Sequence, residues 1–204
     1  RVSVALSRRL NDFVYTPQNR QYVNTTKEKF QDKANFPGIL FCIDGSHIDI
    51  IAPSTNENDF VNRKGRHSIN VQFMCDADLR IVNCVIKWPG STHDSRILRN
   101  SRLYADFERQ PPNGYILGDS GYPALTWLLT PFLNPDTDAE QRYNDAHTKT
   151  RQTVERCIYI LRDPETYRDP ETPIFMLEIS PYGTKQSSCC HCCLYSVTQY
   201  CNQS

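Results

Sequence analysis

SINVQFMCDADLRIVNCVIKW, residues 68–88, decides the fold. Residues 68–75 and 80–88 each alternate apolar and polar side chains, the two-residue period of a strand with one face toward a core, and the polar DAD at 76–78 has hairpin length. An antiparallel strand pair is therefore expected. Upstream, GILFCI at 38–43 is a continuous apolar run of buried-strand type. Downstream, HDSRILRNSRLY at 93–104 spaces Ile97, Leu98 and Leu103 as a helix face, with Ser91 or Thr92 available to cap it. GYILGD then supplies another strand. The clearest helix spans 139–162, where Ala139, Tyr143, Ala146, Thr150, Val154, Ile158 and Leu161 recur at steps of three and four. Strand, strand pair, helix, strand, irregular segment and long helix, in that order, describe a mixed α/β layer fold.

The 204 residues suffice for one domain with a sizeable core and a short appendage. Lysine plus arginine equals aspartate plus glutamate, so the formal charge is zero, which argues against an indiscriminate nucleic-acid binder while leaving room for local patches. No run of about 18 apolar residues is present, so no membrane association is expected. The chain starts at Arg1 without an apolar leader and is expected to be a fragment. Cys42, Cys75, Cys84 and Cys157 sit singly in apolar segments as small core hydrophobes.

Three segments follow from composition: a helical, mildly basic stretch over 1–36, the main domain over 37–162, and a divergent tail over 163–204 expected to be disordered. In the tail, RDPETY and RDPETP form a short tandem repeat whose prolines end the long helix. CCHCC at 189–193 has the two-residue cysteine gap of zinc sites but lacks a second well-spaced pair, so unpaired thiols are the favoured reading.

Three acids stand where a fold needs a reason to keep them: Asp44 after GILFCI, Asp119 after GYIL, and Glu155 on the long helix. Each has a structural alternative. Asp44-Gly45 is a hairpin-turn dipeptide, Asp119 can cap a turn, and Glu155 can be a solvated helix acid. Together, strand-end aspartates and a helix glutamate can converge on hard divalent cations. Asn144, His147, Arg151 and Glu155 also recur at helical steps, lining polar groups beside the apolar stripe. A hydrogen-bonded structural histidine is an equal alternative for His147. Asn62, Arg63, Lys64, Arg66 and His67 form a basic cluster that is either a solvated loop or a phosphate-binding patch.

FPGILFCIDGSHIDI, RKGRHSINVQFMCDAD, WPGSTHDSRILRNS, GYILGDSGYPALTWLLTPF and NDAHTKTRQTVERC occur in that order, and together they resemble the Harbinger-type transposases and the nucleases derived from them. The resemblance runs from about Phe36 to Arg162. It implies a ribonuclease-H-like mixed sheet flanked by helices, the DDE catalytic core. It makes Asp44, Asp119 and Glu155 a catalytic and metal-binding triad for Mg²⁺ or Mn²⁺. Asp94 would be a supporting acid, in a capping or outer role, with Asn144, His147 and Arg151 as supporting helix positions. Arg63, Lys64 and Arg66 would contact DNA. The expected activity is water attack on a DNA phosphodiester, and the alternative is an inactive transposase remnant that binds nucleic acid or protein. A nuclear location, with the cytoplasm also open, and a separate Myb-like DNA-binding partner complete the expectation. Tyr159 stands where the family usually has glycine and is expected to crowd the contact between helix and sheet; the tail departs from the family altogether.

Overall fold

The computed structural model describes residues 19–162. Helix α1 (Arg20–Ala34) starts at Asn19, whose side chain accepts a bond from the Tyr22 amide at 2.8 Å, and ends at Asn35 in the left-handed region, φ 51°. The first eighteen residues of the expected helical stretch, the RDPET repeat beyond its first arginine and the CCHCC cluster lie outside the described residues.

Five strands form one sheet in the order β3-β2-β1-β4-β5. They are β1 (Ile39–Asp49), β2 (Ser68–Cys75), β3 (Ile81–Pro89), β4 (Tyr115–Leu117) and β5 (Leu128–Leu129). The first three pair antiparallel, whereas β4 and β5 run parallel to β1. This is the mixed sheet of a ribonuclease-H-like α/β fold. The hairpin at 68–88 forms as its alternation requires, turning through Asp76–Arg80 with Leu79 at φ 64°.

From Cys42 onward, β1 sends alternate side chains to opposite layers. Cys42 faces a core built with Val71, Phe73, Val154, Ile158 and Phe30, while Ile43 faces a second core with Met74, Leu98, Phe107 and Trp127. The first layer is closed mainly by α4 (Asp138–Arg162), the second by α2 (Asp94–Arg99) and α3 (Arg102–Arg109). Each fully buried large aliphatic or aromatic side chain in these layers contributes roughly 1.5–3 kcal/mol. The buried cysteines behave as core hydrophobes, and burial pushes the Cys42 thiol far up from its ordinary value.

Five local expectations change. Asp44-Gly45 is not a turn, because β1 continues in register with β2 through Asp49↔Ser68. The segment after Thr92 is two short helices, since Ser101 caps α3 by accepting from the Tyr104 amide at 3.1 Å. The first of them, α2, has His93 as its N-cap position rather than Ser91 or Thr92. Tyr159 does not crowd the sheet, because it points outward and is 59 % exposed. Strand β5, inside the segment expected to be irregular, is bonded to β4 through Ile116↔Leu128 and Leu117↔Leu129. Among the described residues, no helix is long and apolar enough to cross a membrane.

Candidate active site

The sheet brings Asp44 and Asp119 side by side. Cys42 pairs with Leu117 at the end of β4, and two further residues along each strand stand the two acids. Strand β4 stops there while β1 continues, so Asp119 leaves the sheet into a tight turn: its Oδ1 accepts from the Gly121 amide at 2.9 Å, and its carbonyl from the Tyr122 amide at 3.1 Å. Room for that turn comes from two glycines. A Cβ on Gly118 would lie 2.9 Å from the Tyr122 ring, and one on Gly121 would lie 3.1 Å from Asp119 Oδ1.

Asp44 points into the layer of α4, as its register partner Phe73 does. Its side chain is 18 % exposed, and Arg151 Nη1 donates to Oδ2 at 3.1 Å while the Gly45 amide donates to Oδ1 at 2.9 Å. These bonds do not offset its surroundings. Burial, with the charges of Asp119 and Asp94, overcomes the pull of Arg151 and lifts the Asp44 carboxyl to about 6. Arg151 also bonds Glu155, one turn along α4. The guanidinium therefore stands between Asp44 and Glu155, and Glu155 keeps a half-exposed carboxylate at the mouth of the site.

Asp94 enters from the opposite layer. Gly45 has no side chain, and any Cβ there would run into Asp94 Oδ1. Asn70 Nδ2 donates to that oxygen at 2.9 Å. Burial and the charge of Asp119 raise the Asp94 carboxyl above the ordinary aspartate range, although the Asn70 bond opposes this. Asp44, Asp94 and Asp119 thus form one electrostatically coupled group on β1, the start of α2 and the end of β4. Among the described residues, no group of three or more histidine, cysteine or acidic side chains is placed to hold a metal ion.

The other polar positions of α4 grip main chain. Asn144 donates to the Phe132 carbonyl and accepts from the Phe132 amide, both at 2.9 Å. His147 is buried with Nε2 3.3 Å from the Leu129 carbonyl, and burial holds its ring below the usual histidine value. Asn144 secures the loop after β5, and His147 holds the end of β5, which pairs with β4 two residues before Asp119. In the basic loop, Asn62 closes the turn: its Oδ1 accepts from the Lys64 and Arg66 amides, and its Nδ2 donates to Ser68 Oγ at 2.9 Å. Arg66 pairs with Asp49 at 2.8 Å, and Arg63 Nη2 lies 3.0 Å from His93 Nδ1. Arg63 is the loop cation that reaches the acids, since its charge is felt by Asp94. Trp127 is a packing residue, buried between the edges of Tyr104 and Phe107 with its Nε1 donating to Glu108.

Comparison with known proteins identifies the family of this domain. The family model described as "DDE superfamily endonuclease" matches residues 43–167, more than half of the chain. A rat protein named "Putative nuclease HARBI1" is 37 % identical over 161 residues, covering 78 % of this chain and 46 % of its own length; its human counterpart is 35 % identical over the same shares. An Arabidopsis thaliana "Protein ALP1-like" is 30 % identical over 154 residues, 67 % of this chain and 38 % of its own. The chain spans about half the length of the curated relatives it matches. No solved structure matches the chain significantly. With its sheet order and the match over most of the central region, the chain belongs to the DDE superfamily endonucleases, in the branch derived from Harbinger-type transposases.

Proposed function

We propose that this protein is a divalent-metal-dependent DNA endonuclease of transposase origin that cleaves a phosphodiester by water attack. The observation that carries the reading is the nearness of Asp44, in the middle of β1, to Asp119, just past the end of the parallel strand β4, with Arg151 of α4 bonded to Asp44 and to Glu155. Crowded, partly buried carboxylates repel one another, and a hard cation with oxygen preference is the partner that relieves them. Carboxylate oxygens are donors of the type that suits Mg²⁺ or Mn²⁺, and Asp44, Asp119 and Glu155 are the residues that would hold such an ion. Such ions, when bound, supply an activated water and charge neutralisation at the departing oxygen.

The chain's own groups do the positioning. Asp119 is fixed by its turn and by the grip of His147 on the neighbouring main chain. Arg151 holds Asp44 and Glu155 in place and carries a positive charge that can meet a phosphate. Arg63, Lys64 and Arg66 supply positive charge for the DNA backbone, contributing affinity rather than sequence choice. A nuclear location and a Myb-like DNA-binding partner belong to the same proposal.

Supercoiled plasmid with Mg²⁺ or Mn²⁺ tests the reading. The protein should nick it, and Asp119→Asn should lose the nicking while keeping its circular dichroism and melting temperature. Equal nicking by both would overturn the assignment. One observation favours a second reading, a non-enzymatic remnant that binds nucleic acid or protein: the Arg151 guanidinium already occupies the space between Asp44 and Glu155. Titration with Mn²⁺ separates them, because the nuclease should bind the ion through its carboxylates and the remnant only weakly and without preference for a site.

A further inference from the structure

We propose that His47 binds a phosphate of the DNA substrate through a hydrogen bond donated by its Nε2, and that Asn62 and Ser68 fix the ring in the form that can donate it; the inference rests on the DNA-cleaving reading above and names a further contact of that site.

The protons along this relay can be placed one by one. Asn62 Oδ1 accepts from the Lys64 and Arg66 amides at 2.9 and 3.2 Å, so the other end of its amide, Nδ2, is the group 2.9 Å from Ser68 Oγ. Ser68 is fully buried, and its Oγ, having accepted that bond, has one remaining partner, His47 Nδ1 at 3.1 Å. The hydroxyl proton therefore goes to Nδ1, which must be the bare nitrogen of the ring. The hydrogen of the neutral imidazole is left on Nε2, which bonds none of the described residues and belongs to an exposed side chain. Gly90 makes room for the relay, since any Cβ there would run into Ser68 Oγ.

Strand β1 carries this donor to the acids from the layer opposite Arg151. His47 is the register partner of Asn70, so its ring shares the α2 face of the sheet with Asn70 and with the Asp94 carboxylate that Asn70 holds. Asp44, three residues earlier, faces α4 and Arg151 instead. The backbone at His47 is pinned where β4 no longer pairs with β1: Arg162 Nη2 donates to the His47 carbonyl at 2.9 Å and to Ser46 Oγ at 2.7 Å. Four charges act on the ring, Asp94 and Asp49 of one sign, Arg162 and Arg63 of the other. Arg66 is committed to Asp49, but the bonded partner of Arg63 is His93 rather than a carboxylate, which leaves its charge available beside His47. A neutral N–H can donate to an anionic oxygen without neutralising the acids next to it. Paired with the Arg63 guanidinium, it suits a phosphodiester, and with Arg151 beyond the acids the DNA strand would be held from both layers of the fold.

Three measurements on the full chain test this without reading cleavage. Nitrogen–proton correlation spectra of the histidine rings, with His47 assigned by its loss in His47→Gln, should show the wild-type ring protonated at Nε2 and bare at Nδ1, and Ser68→Ala should loosen that preference. A short fluorescent DNA duplex in EDTA should bind folded His47→Ala roughly tenfold more weakly than wild type, the loss expected for one bond to a charged oxygen, and His47→Gln, whose amide nitrogen can reach the place of Nε2, should recover part of it. As salt is raised, His47→Ala should keep the wild-type slope of affinity, because a neutral donor is lost, whereas Arg63→Ala should flatten it. A wild-type ring bare at Nε2, wild-type affinity in His47→Ala, or a slope flattened by that change overturns the inference and leaves the nuclease reading to its plasmid test. The first of these needs no variant that might fail to fold. Failure of the wild-type chain to bind DNA at all overturns both.

Discussion

Asp76 at the tip of the β2–β3 hairpin and Asp44 in the middle of β1 are both aspartates at the end of a hydrophobic run, and the fold treats them in opposite ways. Asp76 is 1 % exposed and every side of its carboxylate is met: Tyr22 Oη donates at 2.7 Å, Arg80 Nε at 2.9 Å, and the amides of Asp78 and Arg80 at 2.9 and 3.0 Å. Lys29 and Arg80 bind neighbouring Asp78, so the cluster fastens α1 to the hairpin. Asp44 has one guanidinium bond and one amide, with two further acids nearby. A satisfied buried acid is architecture, whereas an acid buried among like charges is held in readiness for something else.

Substitutions should separate the two. The largest contrast is in activity: Asp119→Asn or Asp44→Asn should remove Mg²⁺-dependent nicking with little loss of folded structure, whereas Asp76→Asn should retain the site chemistry in whatever fraction stays folded. Plasmid nicking beside circular dichroism reads both. Next, Asp76→Ala should cost about 1–3 kcal/mol in denaturant unfolding, because it strands the Tyr22 hydroxyl and the Asp78 and Arg80 amides. A loss below that of an ordinary surface substitution would break the comparison.

The third contrast is in pH. With its carboxyl raised from 3.8 to about 6, folded Asp44 keeps a proton that the unfolded chain has already released across that interval. Its stabilising effect is present at the acid end and disappears as pH climbs through 6. Asp44→Asn should therefore gain on the wild type by about 1–3 kcal/mol more at pH 7.5 than at pH 4.5 in metal-free buffer, measured by chemical denaturation. A gain independent of pH would show that burial does not govern this carboxyl. The smallest effect is expected for Tyr22→Phe, which removes one bond to Asp76 and should cost about 1 kcal/mol.

Much of this was legible from residue order. The hairpin and the long helix follow from periods that local physics enforces, and α4 buries Thr150, Val154, Ile158 and Leu161 as their spacing requires. Asp44-Gly45 misleads because a short-range turn preference competes with pairing to β2, and the ladder wins. The break at Asn100-Ser101 was hidden by an apolar spacing that spans two helices. Strand β5 is only two residues long and exists through its bonds to β4, which no local pattern announces. In the site, the acids and Arg151 could be named in advance, but the nearness of Asp94 to Gly45 depends on a missing side chain across two layers of the fold. Asn62, the loop's buried fastener, was grouped with its charged neighbours because burial is not written in a polar residue's name.

Along α4, Asn144, His147, Arg151 and Glu155 each answer to a different fixed point: a loop, a strand end, one acid and the open mouth of the site. Adding or deleting a single residue between the first and the last would turn one set about 100° away from the other. This stretch should therefore accept changes of letter far more readily than changes of length, and its spacing is a sharper guide to which relatives keep the site than overall identity.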